Sequence, residues 1–80
     1  MVLSESMADQ LNNHLQNDGV IIINTYNRSF QYNKKHAGWF TSDNDGNLYV
    51  KSGKKKNCLT SDHGKCLMVD IKLYTYKKDE

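Results

Sequence analysis

The sequence has no proline, only two cysteines, and no apolar run long enough to cross a bilayer. Because a membrane-spanning helix needs about 20 consecutive apolar residues, we expect no transmembrane segment. The amino-terminal residues are partly acidic and lack the basic stretch and apolar run of a signal peptide. These absences predict a cytoplasmic protein, and cytosolic reductants would keep Cys58 and Cys66 as thiols.

Catalytic signatures are also missing, since the sequence contains no G-x-S-x-G, no H-E-x-x-H and no phosphate-binding glycine loop. A nucleophilic cysteine would need a histidine base, and nothing near Cys58 or Cys66 prepares such a pair. The chain of 80 residues is expected to form one domain over 1–80, with little room for a deep substrate pocket. We therefore expect a binding protein and not an enzyme, with no cofactor.

Two short motifs suggest metal ions without completing a site. Cys58, His63 and Cys66 could hold zinc, but they lack the close C-x2-C pair typical of small zinc sites. We expect instead that Cys58 and Cys66 face each other across a hairpin whose tip is 61–63. The segment 42–46 contains Asp-x-Asp-Gly, but an EF-hand aligned on this glycine would place Ser52 where calcium needs a bidentate glutamate. That segment predicts a hairpin turn.

The apolar pattern predicts an α+β fold, with one N-terminal helix packed on a small antiparallel sheet of four to five strands. Met7, Leu11 and Leu15 form the apolar stripe of the helix, and Gly19 supplies its left-handed stop. The last strand alternates most clearly, with Leu67, Val69, Ile71 and Leu73 on one face and Met68, Asp70, Lys72, Tyr74 and Tyr76 on the other. The predicted helix covers about 4–17, and the predicted strands cover about 20–26, 39–41, 48–51, 56–60 and 65–76.

Charge is distributed unevenly, although the net charge is only +2. Residues 1–27 hold three acidic residues and no lysine or arginine, whereas 28–78 hold all eleven basic residues. Basic and aromatic residues alternate in the second part, beginning with Arg28, Phe30, Tyr32, Lys34, Lys35, His36 and Trp39. Single-stranded nucleic acid is bound by such mixtures, because cations contact phosphates and rings stack on bases. The candidate residues for this function are Arg28, Lys34, Lys35, Trp39, Tyr49 and Lys51.

A protein partner is the other candidate for this basic and aromatic surface. Exposed tyrosines surrounded by charged side chains are typical of protein interfaces, where aromatic anchors are enclosed by a polar rim. A sheet with a single helix cannot be covered on both faces, so part of it is free to bind a partner or a second copy. The candidate residues for this function are Lys54, Lys55, Lys56, Lys72, Tyr74 and Tyr76.

The segment 46–58 reads G-x-L-Y-V-x-x-G-K at its start and follows Tyr26, Arg28 and Tyr32. This pattern resembles small accessory proteins of phages and prophages. The resemblance implies a modulator that inhibits a host or defence protein by occupying its surface, in the cytoplasm of an infected or lysogenic bacterial host. We take this as the expected function, with no membrane partner and a possible homodimer. Nucleic-acid binding is the alternative, and a structural zinc protein is the third.

Overall fold

A computed structural model describes residues 6–60 and 69–75, and this part of the chain contains one α-helix, one 3-10 helix and six strands. The coarse α+β prediction is confirmed. None of the described helices is long and apolar enough to span a membrane. In chain order the elements are α1 (Met7–Gln16), β1 (Gly19–Asn24), β2 (Ser29–Tyr32), the 3-10 helix η1 (Lys34–His36), β3 (Phe40–Ser42), β4 (Leu48–Ser52), β5 (Lys55–Cys58) and β6 (Asp70–Thr75).

The helix α1 begins at a serine cap and ends one residue earlier than the sequence suggested. The Ser6 hydroxyl accepts a hydrogen bond from the backbone N–H of Asp9 at 3.1 Å, which satisfies a free donor of the first turn. At the other end, Asp18 adopts the left-handed conformation with φ of 68°, and Gly19 already belongs to β1. Leu11 and Leu15 are buried as predicted, whereas half of Met7 is exposed.

The strands form two three-stranded antiparallel sheets, so the prediction of one sheet with four to five strands is wrong. Sheet A has the order β2-β1-β6 and sheet B has the order β3-β4-β5. The strand β2 was not predicted, because its polar residues alternate with Phe30 and Tyr32 in a segment of only four residues. It provides the apolar strand β1 with a second neighbour, opposite β6.

The division into two sheets also changes the expected pairing of the last two strands. The sequence predicted a hairpin joining 56–60 to 65–76, but β5 pairs with β4 and β6 pairs with β1. Leu67, Met68 and the predicted hairpin tip at 61–63 lie outside the described residues. Within β6, Ile71 and Leu73 share the face of Ile23 and Ile21, which agrees with the predicted alternation.

The core lies beneath α1, which packs against β1, β3 and β4 and so joins the two sheets. Its members come from every layer of the fold and are all nearly inaccessible to solvent: Ala8, Leu11, Leu15, Ile21, Ile23, Phe40, Leu48, Val50 and Leu59. No buried polar or charged residue interrupts the described part of the core. Burial of apolar surface from both sheets under one helix therefore holds the domain together.

Asn12 attaches α1 to the free edge of sheet B through three side-chain hydrogen bonds. Its Nδ2 donates to the carbonyl of Phe40 at 2.9 Å, and its Oδ1 accepts from the N–H groups of Gly38 and Phe40 at 2.8 and 3.2 Å. The side-chain amide thus bonds both backbone groups of Phe40, as a neighbouring strand would. These bonds give the Phe40 N–H and C=O groups at the edge of β3 hydrogen-bond partners, and they fix the orientation of α1 across sheet B.

Candidate binding groove

A groove of about 820 Å³ opens between the β1–β2 end of sheet A and the β4–β5 end of sheet B. It contains no acidic side chain among the described residues, but it contains aromatic rings, one arginine and one lysine. The lining residues that carry this chemistry are Tyr26, Arg28, Phe30, Tyr32, His36, Trp39 and Lys51. The groove therefore combines π-faces with positive charge.

The β1–β2 turn projects the first wall of this groove. Thr25 closes the turn, because its backbone N–H donates to the carbonyl of Arg28 at 2.8 Å and its hydroxyl accepts from the Arg28 N–H at 3.1 Å. The turn leaves Tyr26 88% exposed. The Arg28 guanidinium lies 5.0 Å from the centre of the Phe30 ring, within the range of a cation–π contact. Arginine and tyrosine are thus both held at the rim.

The floor of the groove is a cluster of rings packed edge to face. The His36 ring is 5.2 Å from Tyr32 and 4.5 Å from Trp39, and Tyr32 lies 5.3 Å from the buried Phe40. The Nδ1 of His36 accepts from the Asn33 N–H at 3.0 Å, so the ring proton of the neutral imidazole is on Nε2. Burial raises the pKa of the Tyr32 hydroxyl above its ordinary value.

The opposite wall ends in a concentration of lysines on the β4–β5 hairpin. Lys51 lies directly opposite Lys56 in the strand register, and both side chains are exposed. Like charges in directly opposite positions destabilise a sheet. Lys51 lines the groove, whereas Lys56 lines a second, smaller concavity together with Asp43. Lys54 and Lys55 are also exposed at this end. The hairpin therefore carries positive charge that an anionic ligand would neutralise.

The groove contains three of the six predicted nucleic-acid-binding residues, namely Arg28, Trp39 and Lys51. Lys35 is exposed on η1 beside His36, while the Lys34 ammonium lies 3.6 Å from the Asp18 carboxylate. Tyr49 lies outside the groove. Its hydroxyl donates to Asp43 at 3.1 Å, and this bond to a carboxylate raises the pKa of Tyr49.

The residues predicted to bind a protein partner are divided between the two sheets. Lys54, Lys55 and Lys56 are exposed in sheet B, on the β4–β5 hairpin. Lys72 and Tyr74 are exposed on β6 of sheet A, and Tyr76 lies outside the described residues. The two groups were predicted to form one contact surface, whereas the strand topology places them in different sheets.

The residues suggested for zinc fall largely outside the described chain. Cys58 is a free, half-buried thiol at the end of β5, while His63 and Cys66 are not among the described residues. Within 6–60 and 69–75, no group of three or more histidine, cysteine or acidic side chains is arranged to hold a metal ion. The described part of the chain thus provides no three-ligand metal site.

Sequence reasoning missed two residues that matter for the groove. Tyr26 entered only through the resemblance, although an exposed ring in a Thr-x-x-Arg turn is a signal that could have identified it. Asn12, which bonds the segment between η1 and β3, carries no signal in the sequence, because its role depends on long-range contacts.

Comparisons with models of protein families, with curated proteins and with solved structures found no match.

Proposed function

We propose that this chain is a non-catalytic binding protein whose groove holds single-stranded nucleic acid. The observation that carries the proposal is the composition of the groove, which has five aromatic rings and two cations but no carboxylate among its described lining residues. The positive charge of Arg28 and Lys51 would not favour the binding of a neutral or cationic ligand. A flexible polyanion with planar groups matches both the rings and the cations.

Base stacking would supply most of the affinity. Stacking of one base on an aromatic side chain contributes about 1–3 kcal/mol, and it tolerates any sequence because every base has a π-face. Tyr26 is the best placed ring for this contact, since it is almost fully exposed at the groove rim. In the free protein the exposed Tyr26 ring buries little apolar surface and so contributes little to stability, whereas a stacked base would cover it.

Phosphate contacts would come from the groove rim and from the β4–β5 hairpin. Arg28 presents a planar guanidinium that can form two hydrogen bonds to one phosphate. The cross-strand Lys51–Lys56 pair would lose its mutual repulsion when a phosphate approaches both ammonium groups. Because each such contact releases a counterion, binding should weaken steeply with salt.

The test is the anisotropy of fluorescently labelled single-stranded DNA and RNA at about 50 and 200 mM salt. Tyr26→Ala should weaken binding by about 5- to 150-fold, the equivalent of one lost stack, and should leave the salt dependence unchanged. Arg28→Ala should reduce the slope of log affinity against log salt by about 0.7, the value for one phosphate contact to a single strand.

Tyr74→Ala is the matched control, because Tyr74 is a half-exposed tyrosine on β6 and does not line the groove. Its affinity for the labelled strands should equal that of the unsubstituted protein. Absence of binding at about 50 mM salt would overturn the proposal. Equal losses from the Tyr26 and Tyr74 substitutions would also overturn it, because the groove would then have no special role.

A second candidate function is inhibition of a host or defence protein, as the phage resemblance implies. One observation favours it: the described members of the predicted contact set, Lys54–Lys56, Lys72 and Tyr74, are all exposed. Tyr74 would then serve as an aromatic anchor. In a pull-down, a bait with Tyr74→Ala should lose a captured protein that the Tyr26→Ala bait retains. The reverse pattern would contradict this candidate.

A further inference from the structure

We propose that a second copy of this chain pairs with β6 in antiparallel orientation, with Ile71 of each copy opposite Ile71 of the other. Among the described strands, β6 pairs with β1 alone, so its other edge has no strand neighbour there. A free strand edge presents unpaired N–H and C=O groups, which form a template for another strand. The interface would join two copies of sheet A into one continuous sheet.

The apolar side chains of β6 are less covered than their position in the fold would suggest. Leu73 is directly opposite the fully buried Ile21 and shares its face, yet 49% of Leu73 is exposed. Ile71, the preceding residue on that face, packs partly against the core, but Val69, just before β6, is again 55% exposed. The helix packs mainly on β1 and on sheet B, and it meets β6 at the Tyr74 carbonyl, which lies 2.7 Å from the His14 Nε2. An apolar strip along an edge strand is therefore left for an apolar partner.

Charge complementarity selects the second copy as the partner and sets its register. With Ile71 opposite Ile71, Asp70 of each copy faces Lys72 of the other, and this attractive pair occurs twice by symmetry. In the same register Val69 faces Leu73, which covers both exposed apolar side chains. A shift of two residues in one direction opposes Asp70 with Asp70, and a shift in the other direction opposes Lys72 with Lys72.

The cross-strand contact between Asp70 and Asn24 of β1 is compatible with this arrangement. Asp70 Oδ1 already accepts from Asn24 Nδ2 at 2.8 Å, which anchors the carboxylate and leaves its other oxygen for a lysine. Lys72 is exposed. A competing explanation is that Asp70 and Lys72 prevent β6 from pairing with another chain, because many natural sheets carry charged side chains on their edge strands for this purpose. The two explanations differ in what a charge swap should do.

The experiment is sedimentation velocity of the full chain from about 5 to 500 µM. The unsubstituted protein should dimerise reversibly within this range, as expected for a small interface. Lys72→Asp would oppose acidic residues twice and should weaken dimerisation at least about tenfold. The double variant Asp70→Lys with Lys72→Asp restores opposite charges in the proposed register, so its dimerisation should return to within about threefold of the original.

Cross-linking provides a second readout that does not depend on the charge variants. In a background with both native cysteines replaced by serine, Ile71→Cys should form a disulfide-linked dimer on mild oxidation, because the two residues face each other. Leu73→Cys is the control and should cross-link far less, because Val69 of the other copy lies opposite it. A monomer at every concentration would overturn the proposal. A charge swap that fails to restore dimerisation of a folded protein, or equal cross-linking at 71 and 73, would also overturn it.

Discussion

The contact between α1 and sheet B leads to a sharp prediction about Asn12. Replacing Asn12 with alanine removes all three hydrogen bonds to Gly38 and Phe40. A typical intramolecular hydrogen bond contributes about 0.5–1.5 kcal/mol net, so the loss of three is about 1.5–4.5 kcal/mol. Alanine is the better helix former and returns about 0.5 kcal/mol. We therefore expect Asn12→Ala to lower the free energy of unfolding by about 1–4 kcal/mol.

This loss is large for a chain of 80 residues, whose total stability is expected to be about 4–12 kcal/mol. Each kcal/mol moves the melting temperature of a domain this size by about 4–8 °C, so the melting curve should shift down by about 4–32 °C. Circular dichroism would measure the shift. Hydrogen exchange should show faster exchange at the Gly38 and Phe40 amides, which lose their acceptor.

Asn13→Ala is the matched control for this prediction. Asn13 is the next residue of α1 and is exposed, so its replacement gives the same gain in helix propensity without those contacts to β3. Its melting temperature should stay the same or rise slightly. If Asn12→Ala melts within about 2 °C of Asn13→Ala, Asn12 does not hold the helix to the sheet, and the account of the helix–sheet contact is wrong.

Two further predictions follow from local contacts elsewhere. A Cβ at Gly19 would collide with the ring of His14, whose Nε2 is 2.7 Å from the Tyr74 carbonyl, so Gly19→Ala should cost about 1–3 kcal/mol in a denaturant titration. That cost should shrink when His14→Ala is added, and an unchanged cost would refute the contact. Hydrogen bonds led by the Asn47 N–H lower the pKa of Asp43, so this carboxylate stabilises the fold above its unfolded pKa, and the contribution disappears as pH falls through the lowered folded value. Asp43→Asn should therefore reduce the fall in melting temperature on acidification below the ordinary aspartate pKa of 3.8. It should also return the raised pKa of Tyr49 toward 10, which absorbance titration measures; unchanged profiles would contradict both effects.

Local signals in the sequence predicted the individual elements well. The stripe of Met7, Leu11 and Leu15 predicted α1, and the Asp-Gly turn predicted the β3–β4 hairpin. The strand β2 has only a short local signal, because the alternation of its two aromatic residues with polar ones covers four positions at the edge of a sheet. Strand propensity is set largely by neighbouring strands, so such a segment is recognisable only once its partner is known.

Sheet assignment and the groove could not be predicted for a different reason. The local sequences of β5 and β6 do not indicate that these strands belong to separate sheets, because strand pairing depends on long-range packing. The basic and aromatic residues were identified from composition alone, including Arg28, Trp39 and Lys51. Which of them share one groove depended on how the two sheets meet.

The pairing of β1 with β6 has a consequence for the order in which this chain folds. Asn24 and Asp70 are 46 residues apart in sequence, and all of sheet B is encoded between them. Closing so long a loop costs entropy that is recovered only when the contacts form, and such non-local pairing slows folding. The local hairpins β1–β2, β3–β4 and β4–β5 can form before β6 has left the ribosome. The central strand β1 must therefore wait for this neighbour until β6 has been synthesised.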